Sequence, residues 1–149
     1  MKKFSILLFI LLIAFSNCES DDICLDSTTP YLIIRFYDAD DPDTIKSVSS
    51  LTVWANEKDS IYTSEALDSI TIPLNLNENS TIYKLQSDTE IDQLNITYDR
   101  TNVYISRSCG YKTIFENVAV TSTYNWIKDF TLTSTTIENE TNAHINIYH

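Results

Sequence analysis

The chain has 149 residues, one domain's worth, and its 21 acidic against 10 basic residues give a formal net charge of −11. A surface this acidic is repelled by phosphate backbones and anionic lipid headgroups, which argues against nucleic-acid binding and against electrostatic adsorption to a membrane. A single glycine leaves no phosphate-cradling loop, and neither a Gly-x-Ser-x-Gly elbow nor a His-Glu-x-x-His helix is present.

In chain order, Met1-Lys2-Lys3 is a basic start, and Phe4 to Phe15 is apolar apart from Ser5. About a dozen residues at ~1.5 Å rise cover ~18 Å, short of the ~30 Å hydrocarbon core, so this predicts a secretory signal and not a membrane span. The next residues, Ser16-Asn17-Cys18, place a cysteine directly after the signal. In bacterial lipoproteins such a cysteine takes a diacylglyceryl thioether and becomes the first residue of the mature chain. Residues 1–17 are therefore read as a lipoprotein signal peptide, Cys18 as the lipidation site, and residues 18–30 as an acidic tether. Two or three acyl chains at ~0.8 kcal/mol per buried CH₂ hold such a chain stably at the membrane. The place implied is the cell envelope, in the outer membrane, on either its periplasmic or its surface side. Cleavage before Cys18 would remove Lys2 and Lys3 and make the chain more acidic still.

Three cysteines are an odd number for an exported protein. With Cys18 lipidated, Cys24 and Cys109 remain as a disulfide pair in an oxidising compartment; two unpaired thiols are the other arrangement. Closing a loop of that length is worth ~4–5 kcal/mol in the chain-entropy model.

From Tyr31 onward the apolar pattern has period two, which predicts strands over residues 31–149 and one β-rich domain. Leu32, Ile34 and Phe36 share one face, and Tyr31, Ile33, Arg35 and Tyr37 share the other, so both faces carry apolar groups and the strand is expected to be central. Leu51, Val53 and Ala55 alternate with Thr52 and Trp54. A weaker candidate covers Ile61 to Thr63. Ile70, Ile72, Leu74 and Leu76 alternate with polar residues, and Pro73 marks that strand as an edge or a bulge. After Ile82 to Gln86, the set Leu94, Ile96 and Tyr98 is expected to turn at Arg100 to Asn102 into Val103-Tyr104-Ile105. Segments at Tyr111–Phe115, Val118–Thr121, Trp126–Leu132 and His144–Tyr148 complete nine or ten strands. With so little glycine, the turns must rely on Asn, Asp and Ser. Many short, regularly spaced strands predict an all-β fold, an antiparallel two-sheet β-sandwich of immunoglobulin-like or similar type, with an open barrel as the alternative.

Several stretches taken together resemble one family. They are Asp21-Asp-Ile-Cys24, Leu32-Ile-Ile-Arg-Phe-Tyr-Asp38, Ser106-Arg-Ser-Cys-Gly-Tyr-Lys-Thr-Ile-Phe115 and Ala143-His-Ile-Asn-Ile-Tyr-His149. The family is one of small, uncharacterised lipoproteins of Bacteroidetes-type bacteria. The resemblance implies an envelope lipoprotein with Cys24 and Cys109 as shared features, and it carries no activity.

The candidate sites are few. Arg107, Tyr111 and Lys112 put two cations and a ring beside Cys109, which suits a small anion or carboxylate, or else forms a structural corner around Gly110. Asp38-Ala39-Asp40-Asp41-Pro42-Asp43 begins a calcium-loop spacing that Pro42 breaks, so a solvated loop is expected. His144 and His149, five apart on a strand, would face opposite ways and share no metal. Arg35, Tyr37 and Trp54 are candidate binding residues, because rings beside polar groups can stack on a sugar or accept a protein, unless a second layer covers those faces. No cofactor, metal site or catalytic residue is expected. The chain reads as a non-catalytic binding or assembly module whose partner is an envelope protein or a glycan; the alternative is a small envelope hydrolase or its accessory subunit.

Overall fold

Alternation of β-branched and aromatic residues with polar ones gives each strand one apolar face, and such faces are satisfied by stacking two sheets. The computed structural model describes Cys24 and residues 28–149, so the signal segment, Cys18 and most of the tether lie outside the described residues. Among the described residues there is no helix, and nine strands form two stacked sheets that do not close into a barrel.

The strands are β1 (Leu32–Tyr37), β2 (Val48–Ala55), β3 (Ser60–Leu67), β4 (Ser69–Ile72), β5 (Ser80–Ser87), β6 (Glu90–Ser106), β7 (Gly110–Ser122), β8 (Asp129–Leu132) and β9 (Ile145–Tyr148). One sheet has the order β4-β1-β9-β8 and the other β3-β2-β5-β6-β7. Leu32, Ile34 and Phe36 of β1 and Ile145 and Ile147 of β9 face Leu51, Val53, Leu85, Leu94 and Ile96 of the second sheet, and all are fully buried. β1 is central, as its sequence implied.

Four expectations need correction. The sandwich is not wholly antiparallel, because β1 and β9 run parallel, with Arg35 opposite Asn146 and Tyr37 opposite Tyr148. No turn occurs at Arg100–Asn102; β6 continues through them, pairing Arg100 with Phe115 and Asn102 with Thr113. Nothing in those three residues forces a reversal, and the hairpin instead turns at Arg107–Cys109, where Gly110 supplies a φ of 72°. Tyr111–Phe115 and Val118–Thr121 are one strand, β7, with a register shift beside Asn117, whose φ is 52°. The Trp126 end of the last long segment is not strand, and β8 begins at Asp129.

The strand expected around Pro73 is an edge, but Leu74 and Leu76 lie outside it. β4 stops at Ile72 and has only β1 as a neighbour, and its outer side is tied by the Tyr62 hydroxyl, which donates to the Thr71 carbonyl (3.0 Å) and accepts the Thr71 N–H (3.1 Å). The outer edge of β7 is covered too, since Phe115 and Ile137 exchange backbone hydrogen bonds of 3.0 and 2.8 Å. Both devices remove open ladder groups that would otherwise invite another chain. Left-handed backbone falls at Asp88 in the β5–β6 turn, as turn chemistry suggests, at Ser64 and Asn117 inside β3 and β7, and at Glu57 and Tyr124, which that chemistry does not suggest.

Candidate binding face

Each sheet buries one face in the core, and no second layer of described residues lies over the other. In the four-stranded sheet the outward set follows from register. Tyr37 of β1 stands beside Tyr148 of β9, which pairs with Asp129 of β8. One step back, Ser69, Arg35, Asn146 and Thr131 form a continuous row across all four strands. The two tyrosine rings lie 5.8 Å apart with 38° between their planes. Arg35 is exposed and has no hydrogen bond or ion pair among the described residues. The face thus presents a ring pair, a guanidinium, an amide, two hydroxyls and one carboxylate on one sheet.

Beneath this face lies a cluster of packed rings. Phe36 points inward and meets Trp126 (6.3 Å) and His149 (6.2 Å), which also contact each other at 5.7 Å. Trp126 is held by Asp92, a fully buried carboxylate on β6. Its Oδ1 accepts from the Thr123 hydroxyl (2.6 Å) and Asn125 N–H (2.6 Å), and its Oδ2 from the Trp126 and Ile127 N–H groups (both 2.8 Å). Burial alone would raise the carboxyl's pKa, but those four donors outweigh it and hold it below the usual carboxylate range. The same strand-end cluster ties His149 to β1: His149 N–H donates to the Tyr37 carbonyl (3.1 Å), and Ala39 N–H donates to the His149 carbonyl (3.2 Å).

Of the residues nominated from sequence, Arg35 and Tyr37 come together here, and register adds Asn146, Tyr148, Asp129 and Thr131. The pattern Ile145-Asn146-Ile147-Tyr148, apolar in and polar out, could have nominated two of them. Trp54 is elsewhere, on the outward face of the five-stranded sheet opposite Lys84 and Ser60. Arg107, Tyr111 and Lys112 gather at the β6–β7 hairpin tip, where Arg107 is exposed and the Lys112 ammonium donates to the Glu138 carbonyl (3.0 Å). Cys24 and Cys109 are joined there as a disulfide, with Cα atoms 4.9 Å apart.

The other candidates resolve into structure. In the acidic loop, Asp38 accepts from Asp40 N–H (2.9 Å) and pairs with Lys46 (3.3 Å), while Asp41 accepts from the Thr44 hydroxyl (2.6 Å). The Asp40 N–H, with Lys46 beside it, keeps the Asp38 carboxyl below its ordinary value. His144 and His149 sit at opposite ends of β9, and among the described residues no group of three or more His, Cys, Asp or Glu could hold a metal ion. Buried His144 accepts the Ile33 N–H at Nδ1 (3.0 Å), which leaves Nε2 as donor to the Asn139 carbonyl (3.0 Å). A cleft of about 520 Å³ opens between the β2–β3 turn and residues 73–83. Some of its polar groups are bonded within the fold: Tyr83 donates to the Pro73 carbonyl, the Thr81 hydroxyl accepts the Asn75 N–H, and nearby Tyr98 donates to the Asn75 carbonyl.

Residues 50–149 match a family of unknown function, DUF6452. The matched span begins within β2, after Cys24 and β1, and the description names no activity, anchor or organism. No curated protein and no solved structure matches the chain.

Proposed function

The chain belongs to that family, and we propose that it is a non-catalytic glycan-binding module, held at the cell envelope by lipid on Cys18, with the outer face of the four-stranded sheet as its binding face. The observation that carries this reading is the Tyr37–Tyr148 pair with the Arg35–Asn146–Thr131 row in register beside it. Two rings on a flat sheet offer π faces to the C–H side of a pyranose. The amide, hydroxyl and carboxylate next to them suit ring hydroxyls, and an unpartnered guanidinium suits a sugar carboxylate bidentately. That mixture favours a glycan over a protein partner, whose buried interface core would be more apolar.

The tether supports the same reading. The Thr29 hydroxyl accepts the Thr113 N–H (3.0 Å), and Cys24 is bonded to Cys109, so the chain enters the fold at the hairpin tip. β1 then runs away from that entry point, and five strand steps at ~3.3 Å carry it ~17 Å to Tyr37. The binding face therefore ends on the side of the domain remote from the tether.

Binding to an array of neutral and uronic-acid oligosaccharides tests the proposal. Wild-type protein is expected to retain a subset, and the Y37A/Y148A double variant to bind that subset at least about fivefold more weakly, from two aromatic contacts of ~0.5–1.5 kcal/mol each. R35A should lose the carboxylated ligands selectively. Equal binding by wild type and the double variant, with circular dichroism unchanged, would refute the assignment of this face.

A further inference from the structure

The β6–β7 hairpin reaches well beyond the strands that flank it. β5 pairs with β6 only from Glu90 to Thr97, whereas β6 itself continues to Ser106. At the far end the side chains are unusual for so acidic a chain. Tyr104 and Tyr111 pair across the two strands with ring centroids 5.3 Å apart, and they are 53% and 69% exposed. Tyr31, 45% exposed, joins Tyr111 and Ile105 around a cleft of about 300 Å³ beside the disulfide. Arg107 forms the turn, and Lys112 follows two residues after Gly110. Within residues 103–112 there are two cations and no acid.

The disulfide decides what this tip faces. Cys24 is bonded to Cys109 in the turn, and only six residue steps separate Cys24 from Cys18. At ~3.3–3.6 Å per residue that is at most ~22 Å. We infer that the β6–β7 hairpin tip docks on the lipid bilayer, with Tyr104, Tyr111 and Tyr31 at the headgroup level and Arg107 among the lipid phosphates. The inference rests on the reading of Cys18 as lipidated. Tyrosine suits this position because its ring is apolar and its hydroxyl prefers water, which is why it is enriched at membrane–water interfaces. Distant acids are screened beyond ~8 Å at physiological salt, but Glu140 accepts the Tyr31 N–H (2.9 Å), so the contact suits zwitterionic lipid rather than the anionic headgroups that repel the chain.

The native tryptophans make the orientation measurable. Trp54 lies opposite Lys84, which pairs with Gln93, and the Trp126 N–H binds Asp92. Gln93 is thirteen steps along β6 from Ser106, so both tryptophans lie ~40 Å from the tip along the strand.

The experiment uses the full lipidated chain, wild type, Y111W and Y104W, in phosphatidylcholine vesicles with and without brominated acyl chains, with flotation read on the same samples. The expected result is flotation of all three, unquenched emission from wild type, and an additional blue-shifted emission in each variant that brominated lipid quenches. Flotation with no quenching in either variant would overturn tip docking while leaving the anchor intact. Quenching of the wild-type tryptophans would overturn it as well, since the opposite end would then face the lipid. If wild type does not float, or if C18A floats equally well, the anchor reading fails and the docking inference falls with it.

Discussion

Asp92 offers the sharpest test of how the binding face is supported. Its carboxylate is fully buried and takes four hydrogen bonds from residues 123–127, three of them from backbone N–H groups. Alanine at this position would leave those N–H groups without a partner in a place water reaches poorly. Each such loss costs ~1–3 kcal/mol and the losses are not additive, so D92A is expected to destabilise the domain by about 4 kcal/mol. Asparagine keeps one oxygen for the Trp126 and Ile127 donors but turns its amide towards the Asn125 N–H, and about 2 kcal/mol is expected. Urea unfolding followed by tryptophan fluorescence measures both. The pH dependence supplies a second signature. The native carboxyl has a lower pKa than the unfolded one, so near pH 4 and below the unfolded chain binds more protons, and this contribution is present at neutral pH and lost on acidification. D92N should therefore lose less stability than wild type between pH 5 and pH 3. A D92A cost below about 0.5 kcal/mol would refute the claim that this cage holds the loop.

Other outcomes follow from single features. Reducing the Cys24–Cys109 bond opens a loop with a sequence separation of 85 and should cost ~4–5 kcal/mol, read as a lower urea midpoint in C24S/C109S. Burial pushes both His144 and His149 below the ordinary histidine value, so the unfolded chain takes the proton first and the urea midpoint should fall as pH drops below ~6.5. H144A should be less stable at pH 7 by about 2 kcal/mol, because the Ile33 N–H loses its acceptor, and should show a flatter slope between pH 7 and pH 5. G110A meets no atom within 4 Å, yet at φ 72° it should cost ~1 kcal/mol by differential scanning calorimetry.

The core was legible because period-two alternation is a local signal. Leu32, Ile34 and Phe36, or Leu94 and Ile96, declare their buried face within a few residues, and Pro73 declares an edge by its missing donor. What was not legible depends on long-range pairing. Arg100–Asn102 looked like a turn because polar residues cluster there, but β7 supplies partners that keep the strand extended. Asp92 sits at an inward position of β6, and nothing local reveals that a loop some 30 residues later provides its donors. The proposed binding face joins β1 to β9 through a parallel pairing over a separation of 111 residues, so the sequence points to Tyr37 without Tyr148.

Hydrogen–deuterium exchange on the full chain, with and without the tightest-binding oligosaccharide from the array, tests the central claim most directly. Slowed exchange confined to Leu32–Tyr37, Asp129–Leu132 and Ile145–Tyr148, the strands that carry the tyrosine pair and the Arg35–Asn146–Thr131 part of the row, is the expected result. Protection that falls instead on the cleft at residues 73–83 or on the five-stranded sheet around Trp54, with these three strands unchanged, would contradict it.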